Sequence, residues 1–250
     1  MQPQPASAPG ATPPSSGPAD ERRSLSRITW YAVLSLAASV VGAVMAAAVF
    51  SALFSAGMGF IPGISIATSG LREQQLQAMI QVFHYLIVFE PVTLVLGLVS
   101  FALLWTGFRG LSKAGAHEFS TPSKLVLVSV IAWVLLIPGT LIVFSSMVPL
   151  LASLAQQSGA ALAAPAASLL GSILLLGVIL VGIGVLLALI GTIGGAILGL
   201  WRVGGRYDQP ILKVGAIFTI VPFLSIVSPI LVIIGVSVAK GRIGRAQSTS

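Results

Sequence analysis

The sequence carries very little charge. Lys, Arg, Asp and Glu make up 8 % of its 250 residues, whereas 56 % are hydrophobic and the mean hydropathy is +1.03. An ordinary soluble domain is about 25 % charged. So few charges cannot cover a water-facing surface, which excludes a soluble globular protein. So much apolar surface also excludes disorder of the whole chain, and an integral membrane protein remains.

Residues that carry chemistry are scarce as well. There is no cysteine and there are two histidines, His84 and His117. The lack of cysteine excludes disulfides, thiolate metal sites, iron–sulfur clusters and thiol nucleophiles. No H-E-x-x-H, phosphate-binding loop or nucleophile elbow is present. We therefore predict no enzymatic activity, no catalytic residue, no metal site and no cofactor.

The chain has 13 Lys and Arg against 6 Asp and Glu, a net charge of +7. These basic residues stand at the edges of apolar runs and form no dense patch, so we expect no nucleic-acid partner. Their placement is typical of the positive-inside rule and of attraction to anionic lipid heads. The lipid bilayer is the predicted partner. Other membrane subunits, or self-association through small-residue helix faces, remain open.

Two tails flank the predicted membrane domain of residues 26–240. Residues 1–20 hold six of the fifteen prolines and no aromatic or branched aliphatic residue. Such a segment cannot bury enough apolar area to offset the entropy lost on ordering. We predict a disordered cytoplasmic tail over residues 1–25 and a short basic and polar tail over residues 241–250.

Five apolar runs each exceed the roughly 20 residues that a helix needs to cross hydrocarbon. They cover about residues 28–56, 82–108, 125–150, 169–201 and 214–239. Because helices satisfy their own backbone polar groups in lipid, we predict an all-α, polytopic transmembrane bundle of five spans. The fourth run, about 50 Å long as a helix, contains glycines that permit a break but is too short for two crossings.

Charge sets the expected orientation. A cytoplasmic N-terminus places nine Lys and Arg inside and only Arg72 outside, before the C-terminal tail is counted. Five spans then put Lys240, Arg242 and Arg245 outside, against the rule. A re-entrant hairpin would return them to the cytoplasm, but its short arms need protein around them at membrane depth. The interpretation favoured here is one proline-kinked crossing with an external tail.

Two features inside the spans are candidates for contacts or chemistry. Gly191, Gly195 and Gly199 form a doubled G-x-x-x-G stripe, which favours packing within the bundle over a dimer seam.

Glu90 is the only carboxylate within an apolar run, and His84 lies less than two turns before it. At about 28 Å of helix from Arg109, Glu90 is expected at the outer boundary of the hydrocarbon. A buried ion or proton site is the alternative.

Residues 198–218 read LGLWRVGGRYDQPILKVGAIF. This segment resembles the C-terminal signature of an archaeal family of multi-pass membrane proteins, the domain of unknown function 973. The signature positions include Trp201, Arg202, Arg206, Tyr207 and Lys213, which have the residue types of interface anchors. The resemblance implies an archaeal membrane protein with several spans, and it implies no activity.

Two functional hypotheses remain. The leading one is a non-enzymatic helical bundle with a structural or accessory role in a larger membrane assembly. The alternative is a small channel or transporter for an ion or small solute, because discontinuous helices mark transport sites. The prolines and glycines provide such breaks, but few polar groups are available to line a path.

Overall fold

The computed structural model describes residues 17–55, 69–155, 164–219 and 226–248. Seven α-helices account for most of them: α1 Pro18–Ser55, α2 Ser69–Lys113, α3 Ser120–Ala155, α4 Ala164–Gly191, α5 Leu198–Arg206, α6 Pro210–Phe218 and α7 Val227–Ser248. A 3₁₀ turn, His117–Phe119, precedes α3, and a π-helical segment, Thr192–Ile197, joins α4 to α5. The predicted all-α class is confirmed.

Five helical segments are long and apolar enough to cross a membrane: Pro18–Ala52, Ile80–Lys113, His117–Pro149, Gly171–Arg206 and Val227–Arg245. This confirms the predicted membrane character and the number of candidate spans. The fourth runs through the π-helical segment without interruption. Its glycines therefore accommodate a local widening of the helix and not a break.

Helix α1 begins earlier than its apolar run. Its first residue is Pro18, followed by Asp20 and Glu21 in the first turn. A proline at the start and carboxylates in the first turn both favour a helix N-terminus. Residues 18–25 thus belong to the helix, which corrects the predicted boundary of the tail. Residues 1–16 lie outside the described part of the chain.

The fifth predicted span is wrong as drawn. Residues 214–239 do not form one kinked helix, because α6 ends at Phe218 and α7 begins at Val227. The two helices lie side by side and antiparallel: Ser228 Oγ donates to the Gly215 carbonyl at 2.7 Å, and farther along α7 Arg242 Nη1 donates to the carbonyl of Tyr207, just before α6, at 3.0 Å. The shielding that this hairpin needs comes from α1, which packs along α7.

The hairpin returns the chain to the end from which α6 starts. Arg22 near the start of α1 lies beside Gly244 of α7. The prediction that the two tails leave opposite sides of the bundle is therefore wrong. All Lys and Arg except Arg72 lie at or near this end, which we call the basic end. Lys240, Arg242 and Arg245, which the predicted crossing placed on the opposite side, therefore lie with the other basic residues.

The helices form a ring, in the order α4, α3, α2, α1, α7, α6, α5, with each packed on the next. Toward the basic end, one buried apolar cluster links α1, α2, α3, α5, α6 and α7. Phe108 and Phe119 stack within it with ring centroids 5.9 Å apart. This packing fixes the hairpin against the longer helices and sets the geometry of the bundle interior.

Candidate functional site

A half-open cavity of about 180 Å³ lies where α1, α2, α3, α7 and the end of α6 meet. Seven hydroxyl side chains are among its lining residues: Tyr31, Ser35, Ser39, Thr93, Ser100, Thr219 and Ser228. Ser100 precedes Arg109 by nine residues, or about 14 Å of helix. The cavity therefore lies near the middle of a hydrocarbon core about 30 Å thick.

The adjoining ends of α6 and α7 form one wall. Thr219 Oγ1 and Ser228 Oγ are 2.8 Å apart, and they lie 3.2 Å and 2.7 Å from the Gly215 carbonyl oxygen. Two helix ends meet here at membrane depth, and helix ends carry backbone groups that need partners from outside the helix. Such ends are tolerated in lipid only where protein buries them or where they line a polar cavity.

Hydroxyls of α1 and α2 form the opposite wall. The buried Tyr31 hydroxyl is hydrogen-bonded to Ser35. Ser100 Oγ donates to the Leu96 carbonyl at 2.7 Å, and Thr93 Oγ1 donates to the Phe89 carbonyl at 3.4 Å. A hydroxyl that donates its one proton to the backbone still offers oxygen lone pairs. The polar atoms of this wall are therefore mainly hydrogen-bond acceptors.

Aromatic rings pack beside these hydroxyls. Phe101 lies edge-on to Tyr31 at 5.8 Å between ring centroids and tilted against Trp133 at 6.1 Å. Gly97 leaves room for the Trp133 ring, since a Cβ there would come within 2.7 Å of it. Among the described residues that line the cavity there is no Asp, Glu, Lys, Arg or His. The cavity is therefore uncharged, with its hydroxyls set in a mostly apolar lining.

The structure does not bring Glu90 and His84 together as a site. Glu90 is half-buried, one turn from Thr93 on the side away from the basic end. Its side-chain carboxylate has no hydrogen bond or ion pair with another residue in the described ranges. His84 is exposed, and its Nδ1 lies 2.8 Å from the Ile80 carbonyl of its own helix. Across the described ranges, no three Asp, Glu or His side chains are grouped to hold a metal ion.

The glycine stripe lies between helices of the same chain. A Cβ on Gly195 would come within 2.6 Å of the Val126 nitrogen, and one on Gly191 within 2.6 Å of the Ser129 nitrogen. Gly199 faces the Phe108 ring. The absence of side chains at Gly191 and Gly195 is what allows α3 and the fourth apolar segment to pack backbone against backbone.

The predicted interface anchors all lie at the basic end. Lys213 Nζ lies 5.6 Å from the centroid of the Trp201 ring, and Trp201 is 43 % exposed. Arg202 donates to the backbone carbonyl of Glu118. Asp208, with φ of 50°, turns the chain between α5 and α6, and its carboxylate lies 3.7 Å from Arg242.

Glu21 is the centre of a polar cluster that sequence reasoning missed. Its Oε1 accepts hydrogen bonds from Arg206 Nε at 3.2 Å, from Arg206 Nη2 at 3.1 Å and from the Tyr207 hydroxyl at 2.7 Å. Arg206 Nη1 also lies 3.6 Å from Glu118. Burial and the neighbouring Glu21 carboxylate raise the pKa of the Tyr207 phenol. The cluster ties α1, the α2–α3 connection and the α5–α6 turn together.

The hydroxyl cavity was missed as well. Ser35 and Ser39 stand out in the sequence only as part of a small-residue repeat along α1. A usable signal exists: Tyr31, Ser35 and Ser39 are spaced by four residues, which places three hydroxyls on one helix face. The matching positions on α6 and α7 are brought opposite this face only by the hairpin.

Neither the curated proteins nor the solved structures contain a match to this chain. A protein-family model described as "Protein of unknown function (DUF973)" matches residues 21–249. This confirms the resemblance carried by residues 198–218 and extends it over nearly all of the membrane domain. Because the match covers most of its length, this chain, with its five candidate membrane spans, belongs to the DUF973 family of proteins of unknown function.

Proposed function

We propose that this protein is a non-enzymatic membrane bundle that passes a small uncharged polar solute through its hydroxyl-lined cavity. The observation that carries the proposal is the α6–α7 hairpin, whose two helix ends meet at the cavity in the middle of the bundle. Discontinuous helices that end at the bilayer midplane beside polar groups are typical of transport sites.

The chemistry of the lining supports an uncharged solute. An ion in the middle of the bilayer needs a countercharge or full coordination, and the lining has no charged side chain. Hydroxyl oxygens that accept hydrogen bonds suit water or a solute with hydroxyl or amide donors. The volume of about 180 Å³ has room for several water molecules or one molecule of the size of glycerol or urea.

Charge placement supports an orientation in which the basic end faces the cytoplasm. Both described ends of the chain then lie on the cytoplasmic side of the cell membrane, since Arg22 and Gly244 are neighbours. The archaeal origin implied by the sequence resemblance stays a prediction.

The test is solute flux into liposomes that contain the purified protein. Stopped-flow light scattering measures re-swelling after a glycerol gradient, and we expect faster re-swelling than in protein-free liposomes. Ser39→Leu, which places a larger apolar side chain at the cavity wall, should remove most of the excess rate. Ser237→Leu is the matched control, because Ser237 is exposed on α7. Equal rates with and without protein, for glycerol, urea and water, would contradict the proposal.

A structural or accessory role is the second candidate, and one observation favours it. The hydroxyls of Thr219 and Ser228 are bonded to each other and to the Gly215 carbonyl. They therefore also serve to satisfy backbone groups at the ends of short helices. A protein that gives no flux and is recovered from native membranes with a stoichiometric partner subunit would support this role.

A further inference from the structure

A second polar site lies at the basic end, away from the hydroxyl cavity. A cleft of about 300 Å³ opens between the start of α1 and the end of α2 and is lined by Asp20, Arg23, Ser24, Arg27, Gly110 and Lys113. Three cations face one carboxylate in this cleft, so its net charge is +2. Neither the cavity nor the Glu21 cluster uses any of these side chains.

Helix periodicity explains why the charges converge. Asp20, Arg23 and Arg27 are three and four residues apart and share one face of α1. Gly110 and Lys113 share a face of α2 in the same way. Because Gly110 has no side chain, Ser24 of α1 packs directly against the α2 backbone. The two helices therefore touch at Ser24, and the longer cationic side chains border the contact.

The two arginines are only weakly engaged within the chain. Arg23 Nη1 lies 3.9 Å from Asp20, and the two side chains are 81 % and 53 % exposed. Arg27 Nη1 donates to the Thr106 carbonyl at 3.4 Å, which uses one of the five N–H groups of a guanidinium. Both guanidinium groups retain N–H donors for an anion in the cleft.

Aromatic residues place the cleft at the level of the lipid head groups. Trp30 follows Arg27 by three residues on the same face of α1 and is 58 % exposed. On α2, the Arg109 guanidinium lies 5.4 Å from the centroid of the Trp105 ring. Exposed indole rings mark the membrane–water interface. Beyond Trp30 the same face of α1 continues with exposed apolar side chains such as Val33.

We propose that this cleft binds the phosphate group of an anionic membrane lipid. The phosphate accepts hydrogen bonds from the Arg23 and Arg27 guanidinium groups, and the acyl chains lie along Trp30 and the apolar face beyond it. Basic pockets between transmembrane helices on the cytoplasmic side have the chemistry for such head groups. Arginine suits this role because its planar N–H groups match phosphate oxygens in pairs.

The experiment measures binding of phosphatidylglycerol with a fluorescent acyl chain to the full chain in neutral detergent. We expect saturable binding that is stronger than for phosphatidylcholine with the same label. Arg27→Gln should weaken it about five-fold and the double variant Arg23→Gln with Arg27→Gln about 25-fold, since each cation near a lipid surface contributes roughly that factor. Lys124→Gln removes one charge from the same end outside the cleft and should change binding less than two-fold.

Three further outcomes decide the proposal. Arg27→Lys keeps the charge but lacks the paired N–H groups, so its affinity should lie between that of the unaltered protein and that of Arg27→Gln, which separates a binding effect from a folding defect. Millimolar inorganic phosphate should not displace the lipid, and displacement would assign the cleft to free phosphate and overturn the lipid proposal. Equal affinity for the two lipids, or equal loss in Lys124→Gln and Arg27→Gln, would also overturn it.

Discussion

The contact between α3 and the fourth apolar segment depends on Gly195 having no side chain. In Gly195→Ala the new Cβ would lie 2.6 Å from the Val126 nitrogen and 2.9 Å from the Leu125 carbonyl carbon. An ordinary contact of this kind is about 3.5–4 Å. Backbone atoms, unlike the tip of a flexible side chain, cannot rotate away. The two helices must therefore separate by a substantial fraction of an ångström along this stretch.

The cost of that separation can be bounded. Overpacking a close contact costs about 1–3 kcal/mol, and the better helix propensity of alanine offsets at most about 1 kcal/mol of it. With a mid-range cost of about 2 kcal/mol, the net loss is about 1–2 kcal/mol, which lowers Tm by roughly 2–8 °C in a chain of this size. Gly182→Ala is the matched control, because no neighbouring helix in the described ranges comes within 4 Å of the position that its Cβ would take. It should leave Tm unchanged or raise it by up to about 4 °C.

The Tm of each purified variant is measured by thermal unfolding in detergent, with tryptophan fluorescence as the readout. The critical result is the sign of the difference in Tm between Gly195→Ala and Gly182→Ala. Equal Tm values would show that α3 does not approach Gly195 as closely as described. An unchanged Tm for Gly195→Ala together with a loss of self-association would instead assign the glycine stripe to a dimer seam.

The remaining predictions concern topology, the basic end and Glu90. Because the chain has no cysteine, Gly17→Cys and Ser250→Cys can each be labelled with an impermeant maleimide; both should react only after cell lysis, and labelling of Ser250→Cys alone in intact cells would refute the hairpin. The raised pKa of Tyr207 means that the folded state binds the phenolic proton more tightly than the unfolded state does. The protonated phenol therefore contributes fully to stability below about pH 10, and this contribution is lost at higher pH. Tyr207→Phe should therefore show a smaller fall in Tm between pH 9 and 11 than the unaltered protein, and parallel curves would contradict this. Glu21→Gln should lower Tm by a few degrees at neutral pH, since it weakens charge-assisted bonds that are partly exposed; an unchanged Tm would show that the cluster does not stabilise the bundle. Glu90→Gln should leave liposome flux unchanged, whereas a proton-dependent flux lost in this variant would support an ion or proton site.

Much of the architecture could be predicted because it depends on local properties of the chain. The lack of charge and the length of the apolar runs are sufficient to place a helix in lipid. The residue types at Trp201, Arg202 and Lys213 also predict a membrane interface at that point, and the structure places all three at the basic end. Contacts between distant residues could not be derived in this way. Glu21 and Arg206 are 185 residues apart, and no local pattern marks them as partners.

The C-terminal segment shows where local reasoning failed. Length alone permits one crossing over residues 214–239, and the cost of exposing a turn to lipid argued against a hairpin. That cost depends on the protein that surrounds the hairpin. These surroundings are determined only by the packing of α7 on α1 and by the hydroxyl contacts near Gly215. The charge of the last residues pointed to the end of the bundle at which they lie, because the positive-inside rule needs no knowledge of neighbouring helices. The sequence by itself thus determined residence in the membrane and the all-α class, whereas the hairpin, the cavity and the pairing of charges were decided by tertiary contacts between helices that are far apart in the chain.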